Sequence, residues 1–341
     1  MDITIKEIAE MAGVSPSTVS FVLNGRPGVG KQTRKRVTAL LEENGFQLKQ
    51  AASAEDVHWG MVKFIRYYDS GDLVERNDDF ITQVVEGADF ALRRAHYTMS
   101  IVNVGEEELK QVLSGLKYEN PAGVIFLGTE FQAQRYQLLT SLDMPVVVVD
   151  NCFRGYPINA IDMDNIDGTR EAVKYLYQKG HRKIGYLKST NQTGSLQERS
   201  RGFYEAMDGY GLVPEPVIHL PPRVTTAKEE MELYLDQSPP LPTAFFADND
   251  VIAAGAMRAL LQKGVRIPED LSLIGFDDSL IASVVTPMLT TMRIYKREMG
   301  MCAVRRLLEM ITNKDTFITK TSVGVDLVVR ETVAQARDGD T

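Results

Sequence analysis

Between Thr4 and Asn24 the chain reads Thr-Ile-Lys-Glu-Ile-Ala-Glu-Met-Ala-Gly-Val-Ser-Pro-Ser-Thr-Val-Ser-Phe-Val-Leu-Asn. That order leaves room for little except two short helices joined by a tight turn. Thr4 with Glu7 three residues on is a capping-box signature, and Ser15 followed by Pro16 places an N-cap and a proline at the first helical position. Gly13 supplies the turn. Ile5, Ile8, Ala9 and Ala12 of the first helix and Val19, Val22 and Leu23 of the second share an apolar face, which turns Pro16, Ser17, Ser20 and Phe21 outward. A helix with such an outward face suits a DNA major groove, where its N-terminal side chains meet base edges. The same pattern also fits an ordinary helical hairpin with an exposed aromatic.

Charge separates the two readings. Arg26, Lys31, Arg34, Lys35 and Arg36 gather around the loop and start of a third helix that is expected to end near Asn44-Gly45. Residues 1–50 carry a net charge of +2 and the remainder −10. A basic head on an acidic body is the layout of a DNA reader carried by a soluble sensor or enzyme.

The runs Ala12-Gly13-Val14-Ser15, Ser17-Thr18-Val19-Ser20, Val22-Leu23-Asn24-Gly25 and Thr33-Arg34 resemble the head of the LacI family of bacterial transcription regulators. The resemblance implies DNA contacts from Thr4, Ser15, Pro16, Ser17, Ser20, Phe21, Asn24, Lys31, Thr33 and Arg34. Family members act as dimers on operator DNA, and a small effector changes their affinity for it. Residues 47–58 are mostly small, lack a core face and read as a hinge. In the resembling family the hinge is a helix that wedges an apolar side chain between base pairs. Here that position falls near Glu55, a departure.

At 341 residues the chain is too long for one compact core and suits two or three domains. It opens without a basic-then-apolar leader pattern, and no apolar run approaches the roughly 20 residues that span a bilayer. A cytoplasmic protein with no membrane partner is therefore expected. Cys152 and Cys302 are far apart without metal-ligand spacing and the four histidines are scattered, so neither a disulfide nor a metal or cofactor site is expected.

From Trp59 onward short β-branched runs alternate with amphipathic helices. Strands are expected at 61–65, 99–104, 123–127, 145–150, 183–187, 217–220, 244–247 and 271–276. Helices are expected at 80–95, 106–116, 168–180 and 198–210. Continuous apolar strands alternating with helices imply parallel sheets covered on both faces. The fold class is thus α/β, an all-α head followed by two doubly wound lobes with a cleft between them.

Gly180-His181-Arg182-Lys183-Ile184, Arg199 to Phe203, Asp248-Asn249-Asp250 and Gly275-Phe276-Asp277-Asp278 carry the resemblance through this body to about Arg330. It implies a head at 1–46 and an effector and dimerisation domain at 59–341. It also implies three crossings between lobes, near Asp162, Thr291 and Thr321. The first lobe would then hold 59–162 and 291–321, and the second 163–290 and 322–341.

Ligands of doubly wound sheets bind beyond the carboxyl ends of the strands. Asp150, Asn249, Asp250 and Asp277 all follow predicted strands, and carboxylates and amides suit the hydroxyls of a sugar. Each could instead cap the following helix, as expected of Asp250. The family's motif positions single out Asp150, Arg199, Asn249 and Asp277 as effector contacts, with Phe80 the apolar contact from the first lobe. Two departures bear on the ligand. Pro221-Pro222-Arg223 stands where relatives often carry a stacking aromatic, and the first strand ends in Ile65-Arg66-Tyr67-Tyr68. Arg66 or Arg223 in the cleft would favour an acidic or phosphorylated effector over a neutral sugar.

No nucleophile elbow, phosphate loop or HExxH motif occurs, so an enzyme is not indicated. A periplasmic binding protein would need a leader and no basic head. A ligand-gated DNA-binding regulator, most simply a repressor, accounts for both halves.

Overall fold

The computed structural model describes residues 3–23, 29–44, 46, 60–69, 78–314 and 317–337. Asn24, Arg26, Gly45 and the hinge at 47–58 with its Glu55 lie outside the described residues, as does the side chain of Lys31. The chain forms two compact units, Met1–Trp59 and Gly60–Thr341.

The first unit holds α1 (Ile5–Ala12), α2 (Pro16–Leu23) and α3 (Lys31–Glu43). At the start of α1 the Thr4 N–H donates to Glu7 Oε2 at 2.7 Å and the Glu7 N–H donates to Thr4 Oγ1 at 3.3 Å, the reciprocal capping box. These bonds, the backbone one foremost, hold the Glu7 carboxyl below its usual range. Gly13 closes the helix at φ 63°, in the left-handed region that a side chain disfavours. Ser15 Oγ accepts the Thr18 N–H at 3.2 Å, so it caps α2. Ile8, Ala9, Ala12, Val19 and Val22 are buried with Val37 and Leu41 of α3, which makes the basic third helix a partner in the core.

The second unit begins with β1 (Gly60–Tyr68), α4 (Asp78–Arg94), β2 (Tyr97–Gly105), α5 (Glu106–Glu119), β3 (Gly123–Leu127), α6 (Gln137–Thr140), β4 (Val146–Val149) and β5 (Asn159–Met163). It continues with α7 (Asn165–Gln178), β6 (Ile184–Ser189), α8 (Gly194–Gly209), β7 (Val217–Leu220), α9 (Val224–Asp236), β8 (Ala244–Ala247), α10 (Asp250–Gln262) and β9 (Ser272–Asp277). It ends with α11 (Leu280–Val284), β10 (Thr290–Ile294), α12 (Lys296–Asn313), β11 (Lys320–Val323) and β12 (Val325–Val328).

Two six-stranded sheets result, ordered β11-β5-β4-β3-β1-β2 and β12-β10-β9-β8-β6-β7. β3, β4, β5 and β8 are buried at every residue, as strands covered on both faces must be. The first sheet is wholly parallel. In the second, β12 runs antiparallel to β10. β11 passes into β12 through Gly324 alone, so the chain changes sheets there within a single residue.

The chain moves between sheets after Met163, after Ile294 and after Val323. This corrects the crossing expected near Thr291. Thr291 pairs with Gly275 of β9 and Val328 of β12, so β10 belongs to the second sheet and the return begins at α12. α12 packs on α4 almost backbone to backbone. A Cβ at Gly87 would stand 2.0 Å from the Arg297 carbonyl oxygen, and one at Gly300 2.0 Å from that of Val84.

Candidate functional site

In the head, α2 buries Val19 and Val22 and leaves Pro16 and Ser17 exposed, with Phe21 39% exposed. Ser20, Thr33 and Arg34 are half-buried and Thr4 is exposed.

In the second unit, the strand ends near the middle of each sheet line a small cavity of about 50 Å³ that opens to solvent. From the first sheet come Thr129 and Asp150, with Phe80 and Ile81 of α4. Arg199, Ser195 and Leu196 of α8, Thr193, Asn249 and Asp277 face them, and Met163 and Ile294 lie where the chain crosses. The two carboxylates sit on unusual backbone, Asp150 at φ 62° and Asp277 at φ 107°. Both torsions are uncommon for residues with a Cβ, and such strain clusters at ligand sites.

Arg199 organises the cavity. It is 4% exposed; its Nη2 meets Asp277 Oδ1 at 2.8 Å. Its Nη1 donates to the Asp248 carbonyl at 2.6 Å and its Nε to Asn165 Oδ1 at 2.9 Å. The guanidinium lies 3.9 Å from the centre of the Phe276 ring, a cation–π arrangement. Asp150 accepts from Thr129 Oγ1 at 2.5 Å and, across the cleft, from Ser195 Oγ at 3.2 Å. Burial raises the Asp150 carboxyl above its usual range, and the charge of Asp277 adds to the rise while Thr129 and Arg199 oppose it. Burial likewise raises Asp277, against the nearby charges of Arg199 and Lys296.

Asn249 lines the cavity and also caps α10, its Oδ1 accepting the Ile252 N–H at 2.9 Å. The cap expected at Asp250 is therefore one residue earlier. Asp250 instead turns into the protein, where it accepts from the Ser279 N–H at 2.7 Å and Thr291 Oγ1 at 2.5 Å.

The structure brings together Phe80, Asp150, Arg199, Asn249 and Asp277, but not the two further arginines. Arg66 lies in β1, in register with Asn103 and Leu127. Arg223 precedes α9 beyond the edge strand β7. Neither lines the cavity, because the cavity is built on β3, β4, β8 and β9. Thr129 follows β3 as Asp150 follows β4 and was open to the same strand-end reasoning. Ser195 lies one helical turn before Arg199, on the same helix face. Met163 and Ile294 carry no chemical signal of their own. Among the described residues, Cys152, Asp162 and Glu198 form the one group whose side-chain atoms could hold a metal ion.

Comparison with known proteins matches this architecture. Residues 4–47 fit the family described as bacterial regulatory proteins, lacI family, and residues 173–333 a periplasmic binding protein-like domain. The HTH-type transcriptional repressor PurR of Haemophilus influenzae is 31% identical over 338 residues, covering 97% of this chain and 98% of its own. That of Photobacterium profundum is 30% identical over 337 residues, again covering 97% and 98%. Among solved structures, a complex of the transcriptional regulator CelR with cellobiose is 26% identical with a TM-score of 0.71, covering 97% of this chain and 99% of its own. The lac repressor dimer bound to operator and the anti-inducer ONPF shares the fold, at 24% identity and a TM-score of 0.73 over 98% of this chain and 100% of its own. With a helix-turn-helix head, two sheets around a polar cavity and relatives matching nearly end to end, the chain belongs to the lacI family of bacterial regulatory proteins.

Proposed function

We propose that the protein is a cytoplasmic repressor that binds a pseudopalindromic operator as a homodimer, and that a small neutral polyhydroxylated ligand of the sugar class occupies the cavity and sets operator affinity. Thr4, Ser15, Pro16, Ser17, Ser20, Phe21, Thr33 and Arg34, with Asn24 and Lys31, are the proposed DNA contacts. Phe80, Asp150, Arg199, Asn249 and Asp277 are the proposed ligand contacts. Among the described residues no helix is long and apolar enough to cross a membrane.

One observation carries the ligand class: among the described residues, Asp150 and Asp277 line the cavity with a single arginine, Arg199, already engaged by Asp277 at 2.8 Å. A phosphate or sugar acid entering it would meet two carboxylates. Hydroxyls both donate and accept, so they can donate to these acids and to the Thr129 oxygen, whose own proton goes to Asp150, and accept from the Asn249 amide N–H. Phe80 offers the apolar surface against which a sugar's C–H face packs. The cellobiose complex of CelR, and a LacI family regulator of Enterococcus faecium with bound ribose, are sugar-bound relatives of the same fold.

A ligand spanning Asp150 on one lobe and Asp277 on the other favours one angle between the lobes, and through the dimer the spacing of two heads on their half-sites. A coupling of about 1–3 kcal/mol would change operator affinity roughly 5- to 150-fold. The test is a thermal-shift screen of the purified protein against sugars, sugar acids, sugar phosphates, nucleosides and purine bases, since a ligand that binds the folded state raises Tm. A neutral sugar should raise Tm in wild type and not in Asp277→Ala, which removes one of the proposed contacts. A rise confined to phosphorylated compounds, or to nucleosides and bases, would overturn the sugar reading.

A further inference from the structure

A second cavity, of about 460 Å³, opens where the chain first crosses between the sheets. Its wall includes Cys152, Arg154, Asp162, Glu198 and Lys320. Cys152 Sγ and one carboxylate oxygen each from Asp162 and Glu198 lie within 4.8 Å of one another. The three residues come from different places. Cys152 follows β4, Asp162 is the penultimate residue of β5, and Glu198 projects from α8 one residue before Arg199.

Asp162 is 4% exposed. Its Oδ1 accepts the Met163 N–H at 2.9 Å, whereas its Oδ2 is shielded from solvent and meets no hydrogen-bond donor. A buried carboxylate oxygen without a partner costs more than most single contacts return, and it marks a place for a proton or a cation. Beside it the Cys152 thiol donates to Glu198 Oε1 at 3.0 Å, so a proton already sits between a sulfur and a carboxylate.

We propose that Cys152, Asp162 and Glu198 bind a divalent metal ion of the zinc class, with the cavity leaving a fourth position to solvent. The ion takes the place of the thiol proton, which leaves to solvent as the sulfur–metal bond forms, and it gives Asp162 Oδ2 its missing partner. A thiolate with two carboxylates selects a borderline-soft ion over magnesium or calcium, which require more oxygen ligands. Ligand atoms around tetrahedral zinc stand ~3.3–3.8 Å apart; Cys152 and Glu198 are already 3.0 Å apart, so at most Asp162 has to close on them, by about 1 Å. Arg154, paired with Glu198, offsets the excess negative charge. Asn165 ties this position to the first cavity, since its Nδ2 donates to Glu198 Oε2 at 3.4 Å and its Oδ1 accepts from Arg199 Nε at 2.9 Å.

The experiment strips the full-length protein with a chelator and titrates it with cobalt(II), then with zinc(II). Wild type should take up one equivalent of cobalt per chain with a thiolate-to-cobalt charge-transfer band, which stoichiometric zinc abolishes. Cys152→Ser should lose the band, and both it and Asp162→Asn should bind zinc at least tenfold more weakly in a chelator competition. Absence of the band in wild type overturns the proposal whether or not the variants fold. Its persistence in Cys152→Ser also overturns it, by assigning the sulfur to Cys302.

Discussion

As a proposed DNA contact, Phe21 restricts which base it can meet. It is 39% exposed on α2, with Val19 and Val22 of the same helix buried beneath. An aromatic ring cannot donate to guanine O6 and N7, but it packs on a thymine methyl. Each operator half-site should therefore carry a thymine opposite Phe21. Phe21→Ala should relax that base pair by about 1 kcal/mol, near the lower end for a mismatch, and leave the salt dependence unchanged because no phosphate contact is lost. Site selection from random DNA with wild type and variant in parallel checks this; identical preferences of identical strength would remove Phe21 from the reading surface. Individual site residues were legible where chemistry sits directly after a buried strand, as at Asp150 and Asp277. Met163 and Ser195 were not, because a thioether and a hydroxyl signal nothing until the fold sets them beside Arg199 and Asp150. The two arginines misled for the converse reason: a cation in the sequence carries no direction, and the cavity lies on other strands.

At the scale of elements, α4 and α12 meet through glycines, and this contact distinguishes two substitutions that helix propensity treats alike. Gly115 of α5 has nothing within 4 Å of the position of a Cβ, whereas at Gly300 a Cβ would stand 2.0 Å from the Val84 carbonyl oxygen. Gly115→Ala should stabilise the protein by about 0.5–1 kcal/mol, the ordinary gain for a helix interior. Gly300→Ala should destabilise it by about 1–3 kcal/mol or more, because two backbones must part. Urea unfolding of both variants decides the matter, and equal stabilisation would mean that the helices are not in close contact. Periodicity identified β1 to β4 and β6 to β9 to within a few residues, since long apolar runs leave few alternatives. It was silent on β5 and on β10 to β12, whose runs are broken by polar residues such as Asp162, Arg293, Ser322 and Asp326, and no local pattern records which sheet a strand joins.

Across the second unit, among the described residues, Asp150, Asp162, Glu198, Asp248 and Asp250 are all buried, and buried acids bear on how stability varies with pH. Burial raises Asp250 to about 7 and Asp248 to about 6. A carboxyl raised in the folded state keeps its proton after the unfolded chain has lost its own, near the ordinary 3.8. The folded state thus binds more protons in that window, and stability falls as pH rises through it. Asp250→Asn removes one such group. The stability advantage of wild type over this variant should shrink between pH 4 and pH 7, by up to ~1.4 kcal/mol per unit; an advantage constant over that range would show that Asp250 titrates normally.

The three crossings between the sheets also govern the order in which the molecule can be completed during synthesis. The first sheet is made early except for β11, and the helix that covers α4 is α12, which follows the whole of the second sheet apart from β12. A ribosome that has released residues 60–294 has thus exposed the apolar face of α4 without its cover, and has left the first sheet an open edge at β5. Neither lobe is complete until the last 47 residues have begun to emerge, and until then the nascent chain must be shielded from aggregation.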